Sequence, residues 1–240
     1  MTLRTRMRAA RAGIALGLIG LPATAIAQPG ADGLAPIEAS LPSRPGAPDP
    51  LTPSAEDARS TELSSEEAAR ITNWVIATRD NGGAPFIVID KTADRVLVFD
   101  ADGQSLGSAP ALLGITRGDD SVPGIGDREL RKIPVQDRTT PAGRFVARYG
   151  PAAGGSKVLW VDYASALSLH AVVAGTKQER RLQRLNSPTP KDNRITFGCI
   201  NVPAKFYAKV IRPLFGKTTG VVYILPETKP LSDVFLALRD

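Results

Sequence analysis

The sequence predicts a mostly-β domain carrying a few short helices. Two observations lead there. From residue 86 onward the apolar period shifts to two, with short runs rich in Val, Ile and Phe set between Gly, Asp and Pro. Such runs also outnumber the stretches with helical spacing, which suits a β-rich layer architecture better than a bundle. The chain has 240 residues, 42% of them apolar, enough for one core of moderate size plus flanking segments.

Taken in order, the first structured element is a helix. Ser64-Ser65-Glu66-Glu67 reads as a capping box, with Ser64 at the cap and Glu67 three residues on. Ala68, Ile71, Trp74, Val75 and Thr78 follow at helical spacing, so a helix is expected over about 65–79, ended by Asn81-Gly82-Gly83. Phe86–Asp90 and Arg95–Phe99 form a hairpin around a turn at 91–94, and another turn at 100–103 leads into a strand over 108–114. Residues 115–139 are charged and broken by Gly and Pro, a long loop of the kind that more often carries function than not. Gly124-Ile125-Gly126 within it is too short for a phosphate-binding loop and follows no βαβ pattern. Thr140-Pro141-Ala142-Gly143-Arg144-Phe145 opens a strand to Tyr149, and strands follow over 158–163 and 166–173. Residues 174–194 are strongly polar, with room for one short helix, and form either a solvated excursion or a lid. A helix with Phe206, Val210 and Leu214 on one face is expected over 203–214, then a last strand over 220–225 and a weak helix over 231–238.

The beginning of the chain reads as a targeting segment. Arg4, Arg6, Arg8 and Arg11 precede an apolar run over 13–23 and a small-x-small site at Ala25-Ile26-Ala27. The run is short for a membrane span and contains Pro22, so a cleaved secretion signal over 1–27 is expected, with a periplasmic product that is not an integral membrane protein. Residues 28–63 alternate Pro with Gly, Ala, Ser and Asp and read as a linker. Removing the signal changes the charge balance from 30 basic against 24 acidic residues to 26 against 24. Nucleic-acid binding thereby loses its electrostatic support.

The chain holds one cysteine, Cys199, and one histidine, His170. A single thiol in an exported protein cannot form an internal disulfide, and here it follows Gly198 within the stretch Asp192-Asn193-Arg194-Ile195-Thr196-Phe197-Gly198-Cys199-Ile200-Asn201. A thiol is only a few per cent ionised near neutral pH and needs a base, and His170 is the sole imidazole. The pair therefore points to thiolate acyl transfer. The ring nitrogen turned away from the thiol needs an acceptor, either a backbone carbonyl near Ala171 or the Asp192 carboxylate. The backbone N–H groups of Gly198 and Cys199 are the expected oxyanion donors. One His and one Cys leave too few soft ligands for a metal site, and no paired carboxylates at a fixed offset suggest glycoside hydrolysis.

These motifs resemble the L,D-transpeptidases of the YkuD type, exported enzymes of bacterial peptidoglycan. The family signature, a His, a spacer, then Ser/Thr-x-Gly-Cys, an apolar residue and Arg or Asn, is matched by His170 and Thr196-Phe197-Gly198-Cys199-Ile200-Asn201. Residues 140–145 match the TP-x-G-x-F element, and the hairpin at 86–99 and the strand at 220–225 match the family's first and last strands. The resemblance implies a YkuD-like β-sandwich of curved mixed sheets over residues 84–228, preceded by the helical segment 64–83 and followed by a tail at 229–240. It also implies Cys199 as nucleophile, His170 as base, the Gly198 and Cys199 amides as oxyanion hole, no cofactor, and peptidoglycan stem peptides as partners. Thr196, Phe197, Asn201 and Arg194 are expected at the substrate, Thr196 by shaping the cysteine turn. Phe197 stands where many members carry His, Ala171 where Gly or Ser is common, and the 29-residue His-to-Cys separation exceeds the usual one because 174–194 reads as an insertion. The reaction the resemblance implies forms a Cys199 thioester that is resolved by an amine of a neighbouring stem, as a 3–3 cross-link, or by an amine on a surface protein. Hydrolysis of that thioester by the same pair, or a non-catalytic wall-binding module, are the alternatives.

Overall fold

A computed structural model describes residues 65–238. The expected signal segment 1–27, the linker 28–63 and the Ser64 cap lie outside the described residues. The first helix, α1 (Glu66–Thr78), is capped by Ser65, whose hydroxyl accepts the Ala68 N–H at 3.2 Å. The cap thus sits one residue later than the capping-box reading placed it, and Glu67 falls in the first turn, where a negative charge suits the helix dipole. Arg79 adopts a left-handed conformation and ends the helix. Ala68, Ile71 and Val75 form its buried stripe.

Among the described residues ten strands follow: β1 (Phe86–Asp90), β2 (Arg95–Phe99), β3 (Ser105–Pro110), β4 (Leu113–Gly114), β5 (Gly143–Pro151), β6 (Lys157–Asp162), β7 (Leu167–Ala171), β8 (Arg194–Thr196), β9 (Ile200–Val202) and β10 (Gly220–Ile224). Eight form one mixed sheet in the order β3-β2-β1-β10-β5-β6-β7-β9, while β4 and β8 pair separately and in parallel. The first hairpin has the boundaries its sequence predicts. The single strand expected over 108–114 is instead two short ones, broken at Ala111 and Leu112 where the chain changes partners.

β5 joins the two halves of the sheet. Its first residues pair with β10 and its last with β6. At the far edge Leu112 and Asn201 exchange backbone hydrogen bonds of 2.8 and 2.9 Å, so the sheet nearly closes on itself. Both faces of β1 and β10 are covered. Ile87, Ile89, Val222 and Ile224 join the core beneath the helical segment 204–215, whereas Phe86, Val88, Val221 and Tyr223 pack with α1 and the C-terminal residues Leu231 and Phe235. A strand buried on both sides needs a continuous apolar run, which FIVID and GVVYI supply.

The helical segment 204–215 consists of α3 (Ala204–Phe206), a π-helical turn (Tyr207–Ile211) and α4 (Arg212–Phe215). Its deepest face is Tyr207, Ile211 and Phe215, with the expected Phe206, Val210 and Leu214 packed partly buried beside it. α2 (Arg181–Leu185) lies within the polar insertion, and α5 (Leu231–Val234) shortens the helix expected over 231–238.

The long loop 115–139 contains three 3-10 turns and is fastened by buried charge. Lys91 is fully buried; its ammonium donates to Asp119 Oδ1 (2.7 Å), Gly118 O (2.7 Å) and Thr140 O (2.8 Å). Burial pushes the Lys91 ammonium below its ordinary range while Asp119 pulls it back up. Burial likewise opposes the charge on Asp119, but Lys91, Thr228 and the backbone amides of 227 and 228 outweigh it and hold its carboxyl far below the usual range. Arg194 grips Glu227 through two bonds of 2.9 and 2.8 Å and lies 2.9 Å from Asp94, a contact without well-directed hydrogen bonds. Burial raises the Asp94 carboxyl to about 7 against the pull of Arg194.

Candidate active site

The parallel pairing of β7 with β9 sets His170 opposite Asn201. Cys199 immediately precedes β9, so the thiol and the imidazole reach the same end of two neighbouring strands, a rigid support for reacting groups. The turn before Cys199 depends on glycine. Gly198 has φ +130°, and a Cβ there would stand 2.7 Å from the Thr139 carbonyl oxygen. Two threonines brace this turn. The Thr196 hydroxyl accepts the Gly198 N–H at 3.1 Å and donates to the Cys199 carbonyl at 2.7 Å. The fully buried Thr140 donates to the Gly198 carbonyl at 2.7 Å and accepts the Gly114 N–H at 2.9 Å.

His170 is oriented by the backbone. Its Nδ1 lies 2.9 Å from the Ala171 carbonyl, and since a carbonyl only accepts, Nδ1 carries a proton. Of the two acceptors left open by the sequence, the Ala171 carbonyl is therefore the one used. Asp192 is engaged elsewhere, accepting from the Ser187 hydroxyl at 2.6 Å. Nε2 remains as the basic nitrogen and faces Asn201 Nδ2 at 3.1 Å. The Cys199 sulfur lies 3.5 Å from the Ser168 hydroxyl and 3.6 Å from the Ala166 carbonyl.

The electrostatics favour transfer of a proton between the pair. Burial works against the Cys199 thiolate, but the His170 side chain and the Ser168 hydroxyl outweigh it and draw the thiol below its ordinary range. Burial also works against the His170 imidazolium, and hydrogen bonding to Cys199 and Ala171 raises the ring above its ordinary range regardless. Arg181 opposes that rise.

Both residues line a cavity of about 350 Å³ together with Phe197, Gly198 and Ser168. Its walls include Ile125, Leu130 and Ile133 from the 115–139 loop and Val158 and Trp160 from β6. Among the described residues no carboxylate lines it, and the one Lys or Arg that does is Arg128. A larger cavity of about 540 Å³ lies against the insertion and includes neither Cys199 nor His170.

The remaining sequence-expected residues fall in different places. Phe197 lines the cavity with the Arg138 guanidinium 4.0 Å above its ring. Thr196 sits buried behind the turn, and Asn201 is buried against His170. Arg194 belongs to the ionic cluster and does not line the cavity. The Gly198 N–H points to Thr196 rather than into the cavity as an oxyanion donor. Two contributors were not singled out from the sequence, Ser168 and Arg181, which reaches Asn201 at 3.1 Å; Thr140 was noted in the TP-x-G-x-F element but not as a brace of the cysteine turn. Ser168 stood two residues before His170 on one strand, hence on the same face, a signal that could have found it.

Thr140→Val keeps the shape of the side chain but leaves the buried Gly198 carbonyl and Gly114 amide unpaired. It should destabilise the fold by about 2 kcal/mol and slow modification of Cys199 by a thiol reagent, checked by urea unfolding and alkylation rates.

No family model matches the chain, and no curated protein matches it. Among solved structures it is similar to the L,D-transpeptidase LdtMt1 in complex with imipenem, at 17% identity and a TM-score of 0.35, over 59% of each chain. It is similar to the L,D-transpeptidase of Xylanimonas cellulosilytica DSM 15894, at 14% identity and a TM-score of 0.35, over 59% of this chain and 60% of that one. Bd1075 of Bdellovibrio bacteriovorus is matched at 17% identity and a TM-score of 0.34, over 60% of this chain and 47% of that one. Two of these three are L,D-transpeptidases. The chain spans about three fifths of the first two and less than half of the third.

Proposed function

We propose that the chain is an exported cysteine L,D-transpeptidase acting on peptidoglycan stem peptides in the periplasm. The observation that carries this reading is the placement of the only thiol on a glycine turn, in one cavity with the only imidazole, whose Nδ1 is tied to a backbone carbonyl. The signature Thr196-Phe197-Gly198-Cys199-Ile200-Asn201 and the secretion-signal pattern over 1–27 support it. No helix among the described residues is long and apolar enough to cross a membrane.

In this mechanism His170 Nε2 takes the thiol proton and the Cys199 sulfur attacks the carbonyl of the diamino acid at stem position three. The oxyanion is met by the Cys199 N–H, since the Gly198 N–H is bonded to Thr196. Collapse breaks the C–N bond, and the imidazolium returns its proton to the departing D-Ala amine. The thioester then receives an amine from a second stem, which loses a proton to His170, and the thiol is restored as a 3–3 cross-link forms. No cofactor takes part.

Incubating the pure protein with muropeptides and reading the products by mass spectrometry tests this. Cross-linked dimers are expected, with none from Cys199→Ala. Shortened monomers alone would mean that water accepts the acyl group, and an unchanged substrate with an unreactive thiol would mean a binding module.

A further inference from the structure

The polar insertion reaches the candidate catalytic pair through one side chain. Arg181, at the start of α2, donates from Nη1 to Asn201 Oδ1 at 3.1 Å, and Asn201 Nδ2 in turn stands 3.1 Å from His170 Nε2. A guanidinium has donors only, so the Asn201 atom facing it is the oxygen and the amide nitrogen faces the histidine. Arg181 and the unprotonated Nε2 fix the orientation of the amide together, and once Nε2 is protonated Arg181 alone still holds it. Nδ1 already carries a proton toward the Ala171 carbonyl, so Nε2 is the only ring atom that can gain or lose one.

We propose that Arg181 is a positioning residue: by holding the Asn201 amide nitrogen against His170 Nε2, it restrains protonation of that nitrogen and so couples the 174–194 segment to the reactivity of Cys199. An Nε2 proton would meet the N–H of Asn201. Release of Arg181 lets the amide turn and offer its oxygen to the imidazolium, which lets the thiol ionise more readily. The inference rests on reading Cys199 and His170 as the catalytic pair.

The segment is shaped around this contact. Glu179 holds the Arg181 guanidinium through Nε at 2.9 Å, and its Oε2 also accepts the Thr176 N–H at 3.1 Å. Gly175 has φ +63°, and a Cβ there would lie 1.9 Å from Glu179 Oε2 and 2.9 Å from Arg181 Nε. The titratable and charged groups acting on His170 are Cys199, from the turn before β9, and Arg181, from α2, with Glu179 behind it. β6, on the other side of β7, presents Val158 and Trp160 to the same cavity.

The test is the pH profile of Cys199 alkylation by iodoacetamide, run on folded protein checked by circular dichroism. The acid-limb midpoint should fall by roughly one pH unit in Arg181→Ala, the equivalent of one net hydrogen bond. Arg181→Lys, another donor-only side chain, should restore the midpoint. Gly175→Ala, which displaces the clasp without removing it, should shift the midpoint as Arg181→Ala does, and it serves as the test if that variant does not fold. In an Asn201→Ala background, Arg181→Ala should produce no shift of its own, because the arginine acts through the amide. An unmoved or raised midpoint in Arg181→Ala overturns the inference, as does an additive shift in the double variant. A wild-type thiol without a low-pH limb that depends on His170 overturns the catalytic pair itself, and the inference with it.

Discussion

His170→Ala should slow acylation of Cys199 by a carbapenem by roughly 10²- to 10⁴-fold near neutral pH, the range a positioned general base contributes. The expectation is sharp because the chain has no other histidine. The remaining groups near the sulfur, the Ser168 hydroxyl and the Ala166 carbonyl, do not replace a base that titrates near neutrality. The loss should shrink as pH rises and the thiol ionises unaided. Because the His170 side chain draws the Cys199 thiol below its ordinary range, the wild-type acid limb should lie below that of the variant. Intact-protein mass spectrometry against time gives the rate, and a variant within threefold of wild type at neutral pH would remove His170 from the mechanism.

Lys91→Met should lower stability by about 3–5 kcal/mol, the cost of leaving the buried Asp119 carboxylate without its cation, and the melting temperature by roughly 10 °C. Asp119 lies 2.7 Å and Glu227 3.8 Å from the ammonium, and all three side chains are shielded from solvent. Because Lys91 also holds Gly118 O and Thr140 O, its removal loosens the root of the 115–139 loop and the support of the Gly198 turn together. Thiol reactivity should therefore fall with stability. Urea unfolding of Lys91→Met, and of the same change combined with Asp119→Asn, separates the two terms; the double variant should recover part of the loss. A single-variant cost below 1 kcal/mol would show that the cluster does not depend on its charges.

Local chemistry made part of this molecule legible in its sequence. The run FIVID followed by RVLVF announced a hairpin because both strands are apolar and the turn between them is not. Cys199 and His170 could be paired from the sequence because each is single, and the fold brings both to one cavity. What escaped was whatever depends on contacts distant along the chain. β8 and β9 are three residues each, too short for periodicity to register, and are strands only because β4 and β7 lie beside them. Arg194 looked like a residue for the substrate, yet its partners Glu227 and Asp94 come from other parts of the chain. The Gly198 amide looked free for an oxyanion until the Thr196 hydroxyl was found to take it. Ser64 and Ser65 are equally able to cap a helix by composition, and the choice falls to Ser65, whose backbone N–H also bonds Asp90 Oδ2 at 2.7 Å.

The position of β10 has a consequence for how the molecule is made. This strand comes near the end of the chain but lies in the middle of the sheet, parallel to β1 and antiparallel to β5. As the ribosome delivers the chain, β1 and β5 therefore emerge long before the strand that must separate them. Until residues 220–224 arrive, β1 and β5 lack the partner strand that joins them, and the apolar faces of Val222 and Ile224 that complete the core are missing. Long-range pairing of this kind slows folding, which keeps a chain extended for longer. A polypeptide ending just before Gly220 would lose its centre rather than an edge.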